Sequence, residues 1–127
     1  MSTGIELIAQ ERQRQEEAEG WTANHDDHHV GGELARAAGV YAAEAYNSGL
    51  RHSWPWEATW FKPTPDDPIR NLVKAGALYL AESERIARIT VFGGRERGPD
   101  DSQALHYRRL ADGVAAEIDR IVSGEQP

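Results

Sequence analysis

Sixteen consecutive residues near the middle of the chain, LRHSWPWEATWFKPTP at positions 50–65, contain three prolines and three tryptophans. Proline donates no backbone hydrogen bond and its ring collides with the preceding helical turn, so this stretch cannot be one regular element. It is also long for a plain connector, and long ordered connections tend to carry function. The fold must be assembled from what lies on either side. Upstream, Leu34, Ala38, Tyr41, Ala42 and Ala45 recur at helical spacing. Downstream the same period runs through Leu72, Val73, Gly76, Leu80, Ser83 and Ala87, and again through Leu110, Val114, Ile118 and Ile121. No stretch alternates as a strand should, and no internal repeat is present.

Capping signals bound these stretches. Thr3 followed by Glu6 reads as a capping box, which starts a first helix from about residue 4 to Gly20 with Ile5, Leu7 and Ile8 on its apolar side. Its second half, QERQRQEEAE, has almost nothing apolar to bury and reads as a solvated face or a surface for a partner or ligand. After the polar TANHDDHHVGG, a second helix runs to a stop at Gly49, with Gly39 and its alanines permitting close approach of a neighbour. Asp66, Asp67 and Pro68 start a third helix that extends to about Val91. GGRERG then reads as a flexible turn, and PDDS opens a fourth helix at about 100–123. The prediction is a single all-α domain over residues 1–127. It is a small bundle of about four helices, with the long Trp/Pro-rich loop between helices two and three. Because the first helix is only half apolar, a homo-oligomer is expected.

A chain of 127 residues can bury roughly two-thirds of its unfolded surface in one core. Its formal net charge of -7 disfavours non-specific binding to a nucleic-acid backbone, so no nucleic-acid partner is expected. A small anionic ligand is compatible, because a local cluster of cations can hold phosphates on an otherwise acidic protein. With no cysteine, neither a disulfide framework nor a thiolate metal site is available. The N-terminal MSTGIELIAQERQRQ lacks a signal-peptide core and no apolar run reaches membrane-spanning length, so the expectation is a cytoplasmic protein without a membrane partner.

Three constellations could carry chemistry. NHDDHH places His25, Asp26, Asp27, His28 and His29 in one short segment. Metal sites usually draw on a rigid frame, such as a histidine pair one helical turn apart, and this cluster is expected to have no such frame. The alternative is a helix-capping loop in which Asp26 or Asp27 accepts backbone N–H bonds. Second, Glu16 and Glu19 form an ExxE pair like that of all-α pyrophosphohydrolases resembling the MazG family, where four carboxylates converge on magnesium. No ExxD completes it, although Glu33 and Glu82 could still reach one another across helices two and three. Third, Trp54, Trp56, Trp60 and Phe61 are flanked by Arg51, His52 and Lys62. Stacking on such rings is worth about 1–3 kcal/mol per base. The same rings could equally cover the end of the bundle as a satellite core.

The remaining cation pairs are Arg12 with Arg14 and Arg70 with Lys74. Lys74 lies inside the apolar LVKAGAL, where an unpaired charge is costly. It should meet Glu33, Glu82 or a bound anion, or else lie outward with its stem along the surface.

In order along the chain, ERQRQ, EGWT, HDDHH, GELARAAGVYA, WPW, KP and RNLVKAGALYLAE resemble a widespread group of small bacteriophage and prophage proteins, also found as a C-terminal module of other phage proteins. The resemblance covers about residues 5–86 and leaves the last helix outside it. It implies expression in the cytoplasm of an infected bacterial host. It also implies kinship with sponges that bind cyclic nucleotide signals of bacterial immunity, such as those of CBASS or Thoeris, without cleaving them. The expected partner is then a cyclic dinucleotide or cyclic ADP-ribose isomer, with no cofactor and no catalytic residue. Trp54, Trp56 and Trp60 would stack bases or close the pocket; Arg12, Arg14 and Lys74 would neutralise phosphates. Asp27 or His29 would meet a ribose or base edge, and Trp21 and Lys62 would complete the pocket. The alternatives are a magnesium-dependent pyrophosphohydrolase built on Glu16, Glu19, Glu33 and Glu82, and an inhibitor that presents its tryptophans to a host protein on one flat face.

Overall fold

The computed structural model describes residues 2–47, 49–91 and 93–124. Its elements are α1 (Gly4–Ala18), α2 (Ala23–Asp26), α3 (Glu33–Glu44), α4 (Pro68–Ala87) and α5 (Ser102–Ser123), with 3-10 turns at Arg51–Ser53 and Ala58–Trp60. Among the described residues there is no strand, and Thr90 and Glu96 make an isolated antiparallel bridge. The all-α bundle expected from the apolar period is the fold found, with the single turn α2 added to four longer helices.

Helix starts follow their capping chemistry. Thr3 Oγ1 accepts from the Glu6 amide at 3.2 Å while Glu6 Oε1 accepts from the Thr3 amide at 2.9 Å. Asp67 caps α4 by accepting from the Arg70 amide at 3.0 Å, and Asp101 caps α5 through the Gln103 and Ala104 amides. Helix ends depart from expectation. α3 stops at Glu44, ahead of a left-handed Asn47, and does not reach the Gly49 stop. α4 stops at Ala87 instead of Val91, because the β-branched run Ile89, Thr90 and Val91 favours extended backbone. The chain folds back on itself there: the Arg97 amide donates to Ile89 O at 2.9 Å and the Gly98 amide to Ala87 O at 2.8 Å. GGRERG is accordingly part of a hydrogen-bonded turn, with Gly93 and Gly94 in the left-handed region that glycine alone tolerates cheaply.

α4 is the central helix and packs against α1, α3 and α5. On one side Ala75, Leu78 and Ala81 meet Leu34, Ala37, Ala38 and Tyr41 of α3. On the other, Leu72, Val73 and Ala77 meet Ile8 of α1 and Ala115 and Ile118 of α5. The inward stripe of α5 is Ala104, Ala111, Ala115 and Ile118, whereas Leu110 is exposed. Small residues face in because the helices lie close together. Close approach is made at Gly4 and Gly76, not at Gly39, whose nearest neighbour is the Tyr79 hydroxyl at 3.9 Å. The polar half of α1 is solvated as expected at Gln10, Gln13, Glu16 and Glu17, but its other face departs from expectation, with Glu11, Gln15 and Arg12 only 1%, 2% and 6% exposed. They sit three, seven and four residues after Ile8, so they continue its buried face. No helix among the described residues is long and apolar enough to cross a membrane.

A methyl group at Gly4 would collide with the backbone carbonyl of Ala115, while one at Gly76 would meet only the end of the Ile8 side chain. Gly4→Ala should lower the stability measured by urea denaturation by about 1–3 kcal/mol. Gly76→Ala should cost less, since Ile8 can rotate and alanine regains roughly 1 kcal/mol of helix propensity. Equal losses would contradict this packing.

Candidate functional site

The buried polar face of α1 opens onto a cleft of 230 Å³ between α1, α4 and the end of the Trp/Pro-rich loop. Four cations, Arg14, Lys62, Arg70 and Lys74, line it against two carboxylates, Glu11 and Glu19, with Gln15, Trp21 and Tyr41 between them. The cleft is therefore locally positive on a chain whose net charge is -7.

Glu11 organises the cations. Arg14 donates to both of its oxygens, from Nε and Nη2, at 2.8 Å each, and Arg70 donates to Oε1 from α4. Gln15 Nε2 adds a bond to Oε2 at 3.2 Å. Burial pushes the Glu11 carboxyl up, but the two guanidiniums outweigh it and hold the group below the usual carboxylate range. Arg14 also reaches Glu19 at 3.3 Å.

Lys74 takes neither of the carboxylates expected for it. Glu33 pairs with His29 and Glu82 with Arg85, and Lys74 forms no ion pair among the described residues. Its ammonium donates to neutral oxygens, Lys62 O at 2.5 Å and Thr64 Oγ1 at 3.2 Å, and stands 5.7 Å above the Tyr41 ring. Burial, reinforced by Arg70 nearby, lowers its pKa. A partly buried cation with Glu11 and Glu19 in the same cleft but neither in direct contact with it is a natural seat for an anion.

The loop is fixed by side chains that stand in for a neighbouring strand. Asn71 accepts from the Thr64 amide at 2.8 Å and donates to its carbonyl at 3.0 Å, and Tyr41 Oη accepts from the Lys62 amide at 3.0 Å. A second cleft of 370 Å³, lined by Ala18, Glu19, Trp21, His25, Trp60 and Lys62, adjoins the first through Glu19, Trp21 and Lys62. Trp60 is 51% exposed. Trp54 and Trp56 are not available in that way. Trp54 packs on Tyr41, Phe61 and Trp56, and its indole donates to Glu57 O at 2.9 Å. Trp56 packs on Trp21 and His29.

Of the residues anticipated from sequence, the structure brings Arg14, Trp21, Lys62 and Lys74 to the first cleft and Trp60 to the second. Arg12 is buried elsewhere, donating to Asp26 at 2.6 Å, Trp21 O at 3.1 Å and Glu84 at 3.2 Å, so it joins elements instead of facing a ligand. Asp27 pairs with Arg88 at 2.8 Å, and His29 faces His25 and Glu33. The four glutamates of the hydrolase alternative are held apart by different partners: Glu16 by Arg12, Glu19 by Arg14, Glu33 by His29 and Glu82 by Arg85. Among the described residues no three histidine or carboxylate groups converge on a common metal position. Sequence reasoning missed Glu11, Gln15 and Tyr41 as cleft residues. The helical spacing of Glu11 and Gln15 from Ile8 was the available signal. Comparison of the chain with known protein families, with curated proteins and with solved structures finds no match.

Because the folded-state pKa of Glu11 lies below its ordinary value of 4.5, its charge contributes stability that is fully present above that pH and lost as the pH falls further. Glu11→Gln should therefore destabilise the protein by roughly 1–3 kcal/mol near neutrality. The deficit should shrink on acidification below about pH 4.5 in chemical denaturation series. A deficit constant down to strongly acid pH would mean that the carboxylate is not the group responsible.

Proposed function

We propose that this protein binds a small nucleotide and sequesters it. The phosphates lie among Arg14, Lys62, Arg70 and Lys74, and a base lies in the adjoining cleft between Trp21 and Trp60. One observation carries this reading: the cationic cleft and the aromatic cleft share Trp21 and Lys62, so one continuous surface offers charge at one end and π-faces at the other. The segments that resemble phage proteins supply all of those side chains except Trp60. ERQRQ contributes Arg14, EGWT Trp21, KP Lys62, and RNLVKAGALYLAE both Arg70 and Lys74. That resemblance motivates the more specific proposal of a cyclic nucleotide immune signal, a cyclic dinucleotide or cyclic ADP-ribose isomer, held intact in the cytoplasm of an infected bacterium.

The dispersal of Glu16, Glu19, Glu33 and Glu82 favours retention over magnesium-assisted hydrolysis. The inward packing of Trp54 and Trp56 removes both from the flat aromatic face that a host-protein inhibitor would present. The face of the polar half of α1 that carries Glu11, Arg12 and Gln15 is buried against its own chain, so it no longer argues for an oligomer. The ground for a homo-oligomer is instead the exposed Ile5 beside an apolar groove lined by Ile8, Leu80 and Ala111, and the mass in solution tests it.

The direct experiment exposes the purified protein to cyclic dinucleotides, cyclic ADP-ribose isomers and, with magnesium, nucleoside triphosphates, then heats it and chromatographs what is released. One nucleotide should return unchanged. Conversion of a triphosphate to monophosphate and pyrophosphate, or no retention at all, would refute sequestration. Trp60→Ala should weaken retention roughly five- to 150-fold, the equivalent of about 1–3 kcal/mol of stacking. Lys74→Gln should weaken every phosphate-bearing ligand alike while leaving the fold intact.

A further inference from the structure

We infer that His25 and His29 form a binding site for one divalent transition-metal ion of the zinc class. The single turn of α2, capped by Thr22, continues through the His29 amide donating to Asp26 O at 3.0 Å. That turn is the rigid frame not evident in the sequence. It places two histidines four residues apart on one side of the backbone, with ring centroids 4.8 Å apart and Nε2 atoms 3.5 Å apart.

The hydrogen bonds on the far side of each ring determine what those two nitrogens carry. His25 Nδ1 lies 3.2 Å from Asp26 Oδ1, and His29 Nδ1 lies 3.2 Å from Glu33 Oε2. An ionised carboxylate only accepts, so in each neutral ring the proton resides on Nδ1. Both Nε2 atoms are then bare lone pairs facing one another with no donor between them. A shared proton would draw them to about 2.7–3.2 Å, the ordinary range for a hydrogen bond from nitrogen. A zinc-class ion at about 2.0–2.1 Å from each nitrogen in tetrahedral geometry separates them by about 3.3–3.4 Å, which is close to the spacing present.

The surroundings fit the same occupant. A carboxylate on the distal nitrogen of each ligating imidazole orients the ring and raises its basicity. Asp26 is itself pinned by Arg12 at 2.6 Å. Trp21 stacks on His25 with ring planes 2° apart, and Trp56 lies 4.9 Å from His29, so both rings have fixed walls. The histidine side chains are 30% and 18% exposed, which leaves a path for the ion and coordination positions for water. Two protein ligands make an open site, not a closed structural one.

The test uses the full chain, untagged, chelator-stripped and free of nucleotide, so it does not depend on the proposed sequestration. Calorimetric titration with zinc chloride should give one equivalent, undiminished by excess magnesium chloride, and cupric ion should quench the emission of Trp21 and Trp56. His29→Gln should weaken zinc binding at least tenfold, and Glu33→Gln by about 10–100-fold, the usual effect of losing a partner to a ligating histidine. Absence of saturable zinc binding, displacement by magnesium, or unchanged affinity in the His25→Gln, His29→Gln double variant would overturn the site. Because substitution at His29 could loosen the packing of Trp56, electron paramagnetic resonance of the cupric complex of the unmutated chain provides a second reading. Coupling to two imidazole nitrogens is expected; coupling to one or none would equally overturn it.

Discussion

A carboxylate removed from water keeps its charge only if its neighbours replace the solvent it has lost. Asp26 has no exposure at all, and its two oxygens are divided between Arg12 and His25. Arg12 passes the constraint on, since the same guanidinium holds the carbonyl of Trp21 and the carboxylate of Glu84. One buried ion pair thus joins α1, α2 and α4 and determines where Trp21 and His25 stand. Both clefts and the histidine pair depend on that junction. Apolar burial on the two sides of α4 holds the helices together, but it would tolerate small rotations that this charged junction does not.

Glu11 performs a comparable task for the cationic cleft. Four positive side chains in one small space would repel each other, and a buried carboxylate that engages two guanidiniums allows them to gather without being consumed. Arg14 and Arg70 are fixed by it, while Lys74, turned toward neutral oxygens, keeps its charge unmatched. Repulsion among these cations is thereby held in the folded protein, and an anion of the kind proposed above would relieve it.

Features set within a few residues were readable from sequence. Thr3, Asp67 and Asp101 cap helices where their spacing said they should, and the apolar period of α3 and α4 located the core. The polar half of α1 was not readable, because what buries it comes from far along the chain. Arg70 reaches Glu11 across 59 residues and Glu84 reaches Arg12 across 72. The Trp/Pro-rich loop could be recognised as ordered and unusual. Which tryptophans it turned inward could not, because Trp54, Trp56 and Trp60 carry similar local signals and differ in what lies beneath them, Tyr41 of α3 under Trp54 and Trp21 with His29 under Trp56. His25 and His29 stood at helical spacing all along, in a segment whose polarity disguised the turn.

The contact between Asn71 and Thr64 bears on timing. An amide side chain that both accepts from and donates to a loop's backbone does for that loop what an adjacent strand would do. The conformational freedom of the segment is surrendered once, when the chain folds, and not again at every encounter. On the proposed function, an arriving nucleotide would meet a finished surface and need not wait for one to close. Good and poor occupants of such a surface would differ little in how often they enter and chiefly in how long they stay.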